Sequence, residues 1–298
     1  MSNASAPEMP HSFFKFVTIG GGLVMLRTCS VGYRRANDLN DVFELLPAVT
    51  HHTAEGAKLD HAKVSWTEED ARYSTERYDQ LAGYRERVEA FASMHAVLSV
   101  SASLDTSVMI DVDSGHSGDP RRNLLLWAYY AEGGKGLALE FSRALFLDSA
   151  QPRAVQYDKF RPQLTFEDMD ADPDFPYLHK SEEWSHETEW RALLPIVPGM
   201  IPAPAAETLY PVPFSPNALR SITVGCRVSD ANVNELRTLL ACPWFQHVKL
   251  YFARAKHDRY ALDFRSELDT FSADGSLDGR WSNAPENGVE RITIEPRP

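Results

Sequence analysis

Hydrophobic and polar residues alternate along several short stretches of the chain, which is the pattern that half-buried β-strands produce. This pattern, with the content of β-branched and aromatic residues, predicts strands at 13–18, 95–104, 137–141, 155–160, 188–194, 222–225 and, last in the chain, 248–253. Over 67–99 apolar residues recur at offsets of three and four, which predicts one long amphipathic helix. Helices are also predicted over 124–130 and over 230–241, the latter capped by Ser229 or Asp230.

Glycine and proline interrupt these elements. Three glycines at 20–22 predict a flexible turn leading into a strand or a short helix, and seven prolines within 195–216 predict an irregular excursion. Because strands and helices are interspersed without a regular βαβ alternation, we expect an α+β class with a mixed, largely antiparallel sheet or sheets. The domain prediction is a disordered lead over 1–10, a single α+β domain over 11–271 and a flexible tail over 272–298.

Composition narrows the classes of function. The 298 residues include 42 acidic and 30 basic side chains, and the formal net charge of -12 opposes non-specific attraction to nucleic acid and to anionic lipid. The short basic patches at 34–35, 121–122 and 159–161 are interpreted as solvated edges. No apolar run approaches the roughly 20 residues that cross a bilayer, and three cysteines are too few for a disulfide framework. We therefore expect a soluble cytoplasmic protein that does not bind membranes.

One charged row stands out, in the segment HKSEEWSHETEWRALLP at 179–195. If 188–194 is a strand, its period of two places Glu187, Glu189 and Arg191 on one face. Three charges on a core face are costly unless they pair with other charges or bind something. The row is therefore the first candidate site.

Two interpretations of this row stay open. In the first it is a structural network, in which Arg191 bridges the carboxylates and either Lys180 or Arg35 completes the neutralisation. In the second it is the polar floor of a cleft that is also reached by groups from the amino-terminal third of the chain.

Two further groups of residues are candidates for binding. Asn40, Asp41 and Glu44 form a second polar cluster, although Asn and Asp are also common turn formers. Trp127 and Tyr130, three positions apart on a predicted helix, share a face and can serve as core residues or as the wall of a cleft.

Six short motifs occur in an order that resembles a bacterial family known as domain of unknown function 2971. They are FxKF at 13–16, NDxFE at 40–44, LWAYYAEGGKGLALEF at 126–141, KxxxWxxExExR at 180–191, ITVG at 222–225 and VKLYFA at 248–253. The resemblance spans residues 13 to 262 and implies no particular activity.

Among enzymes, the charged row best suits ADP-ribosyl transfer from NAD. That reaction passes through an oxocarbenium-like state and needs a carboxylate near the ribose and an aromatic face for nicotinamide, but no metal. Glu189 would hold the ribose hydroxyl, Glu187 would orient the acceptor, and Lys15 would meet the pyrophosphate or ribose, with Phe16 or Tyr130 stacked on nicotinamide. The expected fold is similar to the split sheet of ADP-ribosyltransferases, which is an analogy at the level of the fold.

Two other classes of function remain as alternatives, so whether the chain is an enzyme stays open. A metal-dependent nuclease would use hard oxygen ligands for magnesium, namely Asp41, Glu44, Glu187 and Glu189. A non-catalytic module for a ligand or partner, in bacterial stress or phage defence, explains why no Ser-His-Asp or Cys-His spacing can be argued from the chain.

Overall fold

The structure, a computed structural model, describes residues 9–39, 41, 48–49, 92–102, 118–146, 151–161, 163–164, 172, 174–200, 202 and 209–267. The predicted tail over 272–298 and all but the last two residues of the predicted lead lie outside the described residues. The prediction of a single domain over 11–271 stays a prediction.

The described strands, in chain order, are β1 (Ser12–Val17), β2 (Ser30–Arg35), β3 (Ala48–Val49), β4 (His95–Ala102), β5 (Leu137–Ser142), β6 (Arg153–Ala154), β7 (Gln156–Asp158), β8 (Gln163–Leu164), β9 (His179–Ser181), β10 (Glu189–Pro195), β11 (Leu209–Pro213), β12 (Leu219–Val224), β13 (Lys249–Ala255) and β14 (Leu262–Ser266). The α-helices with described bounds are α1 (Ile19–Thr28), α2 (Leu124–Tyr130) and α3 (Asp230–Leu240). Helices together with mixed, largely antiparallel strand pairing confirm the predicted α+β class. Within the described part of the chain, no helix has the length and apolar character needed to cross a bilayer.

The described residues fall into two compact units, each drawn from separate segments of the chain. Unit 1 takes them from Met1–Met9, Ser30–Leu104 and Phe146–Phe214, and unit 2 from Pro10–Cys29, Asp105–Leu145 and Ser215–Pro298.

In unit 1 five strands pair in the order β11-β2-β4-β10-β6, and every pairing within this order is antiparallel. The register of β4 with β10 sets Ser99 opposite Arg191 and Val100 opposite Trp190. Both faces of β10 are buried at this point, since Trp190 is 4% exposed and Arg191 is 1% exposed. Strand β9, which contains Lys180, pairs with β7 in a separate parallel ladder.

In unit 2 the strands pair in the order β1-β5-β12-β13-β14, and only β12 and β13 run parallel to each other. Helix α3 provides the crossover that this parallel pair requires. Helix α1 packs on the face of the sheet that contains Leu137, where the missing side chain of Gly22 leaves room for that leucine. Helix α2 covers the opposite face, with the ring of Trp127 set edge-on against Phe16 at 5.2 Å between centroids.

Several elements match their predictions closely. Strands β1, β5 and β10 lie within a residue or two of the predicted bounds, and α2 has the predicted bounds. Helix α3 begins after Ser229, whose side chain accepts a hydrogen bond from the backbone N–H of Asn232. These segments carry strong local signals, namely apolar and aromatic composition or a cap, which do not depend on distant partners.

The glycine-rich segment differs from its prediction. Gly20, Gly21 and Gly22 do not form a flexible turn but lie in the first turns of α1. The hydroxyl of Thr18 accepts a hydrogen bond from the N–H of Gly21 and so caps the helix. Packing against Leu137 then favours a residue without a Cβ at position 22, which offsets the low helix propensity of glycine.

Three other predictions were wrong in part. The helix predicted over 67–99 cannot extend past residue 94, because β4 begins at His95; residues 67–91 lie outside the described residues. The proline-rich excursion contains β11, which includes Pro211 and Pro213 and which, among the described strands, lies at the end of the order and pairs with β2. Strand β13 is not the last, since β14 follows it and pairs with it.

The strand predicted over 155–160 is shorter than expected. Only Gln156–Asp158 of that stretch is a strand, and residues 153–154 form another.

Candidate functional site

Four charged side chains of unit 1 form a buried cluster, which we name the charge quartet: Lys180, Glu187, Glu189 and Arg191. Each side chain is between 1% and 6% exposed. Two cations and two carboxylates bring the formal charge of the cluster to zero. Neutrality is the condition under which burial of ionised groups is tolerated.

Glu189 accepts hydrogen bonds from three side chains, those of Arg191, Lys180 and Ser99. Arg191 binds it with both prongs of the guanidinium, from Nε to Oε1 at 2.8 Å and from Nη2 to Oε2 at 3.0 Å. Lys180 Nζ lies 3.3 Å from Oε2, and the Ser99 hydroxyl also donates to this carboxylate. Both oxygens of Glu189 are therefore occupied by protein donors.

Lys180 joins the two carboxylates. Its ammonium donates to Oε2 of Glu187 at 2.7 Å and reaches Glu189 from the same position. The indole ring of Trp184 lies 4.7 Å from Nζ, so the ammonium also has a cation–π contact. Lys180, one of the two residues predicted to complete the neutralisation, thus bridges the carboxylates and provides the second positive charge.

The backbone between residues 187 and 189 differs from the predicted uniform strand. Glu187 ends a 3-10 helix over Glu182–Glu187, and β10 begins only at Glu189. Thr188 between them has a left-handed conformation with φ of 44°, and its hydroxyl donates to the carbonyl of Ala102. Glu187 therefore enters the quartet from a helical turn, whereas Glu189 and Arg191 share a face by strand alternation.

Three supporting residues of the quartet were missed by the sequence analysis. The Tyr177 carbonyl accepts a hydrogen bond from Arg191 Nη1 at 2.8 Å, and the Tyr157 hydroxyl accepts one from the backbone N–H of Glu189 at 2.8 Å. Ser99 reaches Glu189 because of the register between β4 and β10. The register between two strands that are distant in sequence cannot be predicted from a local pattern, so these residues could be identified only from the tertiary structure.

The electrostatics of Glu189 follow from its neighbours. Burial by itself raises the pKa of this carboxyl, but the charges of Arg191 and Lys180 and the hydrogen bonds from Arg191 and Ser99 together lower it to about 2. Burial also raises the pKa of the Tyr157 hydroxyl well above its ordinary value, with the negative charge of Glu189 adding to the effect. The quartet therefore holds Glu189 ionised at neutral pH.

The second predicted polar cluster is described only in part. Asp41 is partly buried, while Asn40 and Glu44 lie outside the described residues. Arg35, the alternative partner predicted for the row, instead donates from Nη2 to the hydroxyl of Tyr210 at 2.7 Å.

The remaining candidate residues belong to unit 2, whereas the quartet belongs to unit 1. Phe16 and Trp127 lie in a buried cluster, and Tyr130 packs against it from a partly exposed position. Lys15 neighbours Phe16 on β1 and is opposite Leu139 in the register, so the two side chains point to opposite faces of the sheet. Lys15 and Phe16 therefore do not present one continuous surface to a nucleotide.

The prediction that residues 121–122 form a solvated edge is wrong for Arg121. The side chain of Arg121 is 19% exposed and binds Asp119 with Nη2 to Oδ2 at 2.8 Å. Its guanidinium carbon lies 5.0 to 5.5 Å from the ring centroids of Phe14, Tyr251 and Phe264. Arg121 is therefore an aromatic-packed residue of unit 2, an arrangement that adjacent arginines in the sequence do not reveal.

Comparisons with protein-family models, with curated proteins and with solved structures found no match for this chain. The resemblance to the domain of unknown function 2971 family stays a prediction.

Proposed function

We propose that the chain acts as a non-catalytic module that binds a ligand or partner, and that the charge quartet holds unit 1 in one conformation. The observation that carries this proposal is the mutual pairing of two cations and two carboxylates that are almost sealed from solvent. Removing one member of a buried ion pair leaves a charge unpaired and costs about 3–5 kcal/mol. A quartet with these contacts therefore penalises any other arrangement of its side chains.

ADP-ribosyl transfer from NAD requires a different environment for Glu189. A carboxylate that stabilises an oxocarbenium-like state has to reach the ribose. Here Arg191 donates to both oxygens of Glu189, and the Lys180 ammonium is 3.3 Å from one of them. A ribose hydroxyl would have to displace these donors, so the contacts favour a structural role for the row.

The nuclease hypothesis would use the same carboxylates as magnesium ligands. In the quartet the positions next to the carboxylate oxygens are taken by Lys180 and Arg191, and a divalent cation would be repelled by both. Among the described residues, no group of three or more His, Cys, Asp or Glu side chains is arranged to hold a metal ion. The contacts therefore support the non-catalytic proposal better than a nuclease.

Glu189→Gln tests the proposal. We expect this variant to lower the free energy of unfolding by about 3–5 kcal/mol, because a buried positive charge loses its partner. Urea unfolding should give the same loss with and without millimolar NAD, and with and without EDTA. Calorimetry with NAD and an assay of NAD hydrolysis complete the test; wild-type hydrolysis that a folded Glu189→Gln variant lacks would overturn the proposal.

Two controls separate the structural role from general effects of mutation. Glu183→Gln removes an exposed carboxylate from the same segment and should change the free energy by less than about 0.5 kcal/mol. The double variant Lys180→Met with Glu187→Gln removes a neutral pair, whose atoms are 2.7 Å apart. It should cost less than the two single changes added together, since it leaves no unpaired charge. Additive costs would argue against a coupled quartet.

A further inference from the structure

Unit 2 places two of its three cysteines after helices that run in the same direction. Strands β1 and β12 are both antiparallel to β5, so they are parallel to each other. Each leads into a helix, α1 of 10 residues and α3 of 11 residues. Cys29 is the C-cap of α1, and Cys242 lies two residues beyond the end of α3.

The two helices lie on one face of the sheet and pack side by side. Leu137, Val224 and Phe252 are successive partners in the register and therefore share a face. Helix α1 contacts Leu137 through Gly22, and Arg237 of α3 lies over the ring of Phe252. An ion pair between Arg27 and Glu235 links the last turn of α1 to α3.

Parallel helices of nearly equal length that start at the same edge of a sheet also end at the same edge. The thiols of Cys29 and Cys242 are accordingly brought to one end of this face, and both residues are partly exposed. Burial raises the pKa of the Cys29 thiol, and the negative charge of a Cys242 thiolate raises it further, which agrees with their proximity. Cys226 follows β12 in the turn before α3, at the opposite edge.

We propose that Cys29 and Cys242 form an oxidisable dithiol, a modification site that closes to an intramolecular disulfide when the chain meets a small-molecule disulfide. One cysteine thiolate attacks the small disulfide, forms a mixed disulfide and releases one small thiolate. The second cysteine thiolate then attacks the protein sulfur of the mixed disulfide and releases the other small thiolate. The two cysteines lose two protons and two electrons, and the small disulfide is reduced to two thiols.

Both cysteines lie in turns that follow helices, which suits the geometry of this reaction. A disulfide requires Cα atoms within about 7 Å, whereas the axes of packed helices are about 8–10 Å apart. The Cys29 N–H donates to the carbonyl of Met25 and the Cys242 N–H donates to the carbonyl of Leu239, so the two thiols have to approach by side-chain rotation and by small shifts of the helix ends. The disulfide would link the C-terminal ends of α1 and α3. Cys29 and Cys242 are separated by most of the chain, and a disulfide that closes a long loop restricts the unfolded state strongly.

The test uses the full reduced chain, treated with oxidised glutathione and digested with trypsin without reduction. The relevant peptides are 28–34 for Cys29, 238–249 for Cys242 and 221–227 for Cys226. We expect the first two peptides to be cross-linked in most molecules, and the midpoint of urea unfolding to rise until dithiothreitol is added. Lasting glutathione adducts on both Cys29 and Cys242, or cross-links that involve Cys226, would overturn the proposal.

Single serine variants distinguish a specific pair from general thiol reactivity. Cys226→Ser should form the cross-link to the same extent as the wild type. Cys242→Ser should stop at a glutathione adduct on Cys29 and should show no rise in the unfolding midpoint. Loss of the cross-link in Cys226→Ser would contradict the assignment. This outcome is independent of the NAD experiments on the charge quartet.

Discussion

Glu189 shows how a single residue can be ionised inside a protein. Its side chain is 6% exposed, and desolvation at such a position favours the protonated form. Arg191 and Lys180 outweigh this effect because each carries a full positive charge within hydrogen-bonding distance. The stability that the carboxylate confers therefore depends on its remaining charged.

This dependence predicts a loss of stability in acid. The folded pKa of Glu189, about 2, is below its ordinary value of 4.5, so its contribution is complete above about pH 5 and is lost as the pH falls from 4.5 toward 2. The shift corresponds to roughly 3 kcal/mol. We expect the difference in free energy of unfolding between wild type and Glu189→Gln to shrink over this range.

Urea unfolding at pH 7, 5, 4 and 3 measures the difference. Comparing the variant with the wild type at each pH removes the contributions of other carboxylates that titrate in the same range. A difference that stays constant from pH 7 to pH 3 would mean that the Glu189 charge is not what stabilises the fold.

At the scale of elements, the end of β12 depends on a close approach between two backbone segments of unit 2. The N–H of Gly225 donates to the carbonyl of Gly136 at 2.9 Å, and the N–H of Arg227 donates to the carbonyl of Gly134 at 2.8 Å. A Cβ atom at residue 225 would lie 2.3 Å from the Gly134 carbonyl oxygen. The turn after α2 and the end of β12 therefore fit together only because residue 225 has no side chain.

Gly225→Ala should consequently destabilise the chain by at least about 2 kcal/mol, since the atoms it meets belong to backbone that cannot rotate away. Gly20→Ala is the matched control, because a Cβ there meets nothing within 4 Å and alanine favours the helix. That variant should be neutral or more stable by about 0.5 kcal/mol. Equal effects of the two substitutions in urea unfolding would contradict this account.

At the scale of the whole molecule, net charge governs long-range interactions. The formal charge of -12 produces a field that repels polyanions. Arg121 is one basic side chain that is not available to bind phosphate, since it is paired with Asp119 and packed among aromatic rings. Non-specific contact with nucleic acid is thus opposed by the total charge and is not promoted by this residue.

We therefore expect the full chain to bind a 20-base-pair DNA duplex with a dissociation constant weaker than about 100 µM at 150 mM salt. Fluorescence anisotropy of labelled DNA measures this directly, and a series at 50, 100 and 150 mM salt provides the control for weak electrostatic binding. Micromolar affinity that falls steeply with salt would show a basic surface strong enough to overcome the net charge.

Local signals account for what could be predicted about elements. Ser229 begins α3 because its side chain satisfies a helix N–H nearby in sequence, and β1 and β5 are short runs rich in apolar residues. The helix at the glycines of α1 was not predicted, since the fit of Gly22 against Leu137 depends on a residue more than 100 positions away. Strand β11 was missed for a similar reason, because prolines are tolerated only where one side of a strand needs no donor.

The sequence by itself determined the α+β class, the positions of about half of the described strands and the presence of a charged row at 187–191, because composition, caps and charge are properties of neighbouring residues. Tertiary structure decided what the row does. It sealed the row from solvent, brought Lys180 between the two carboxylates and supplied Ser99 and the Tyr177 carbonyl. Pairing among charges depends on strand register and on packing between distant segments, and neither is encoded in a local pattern.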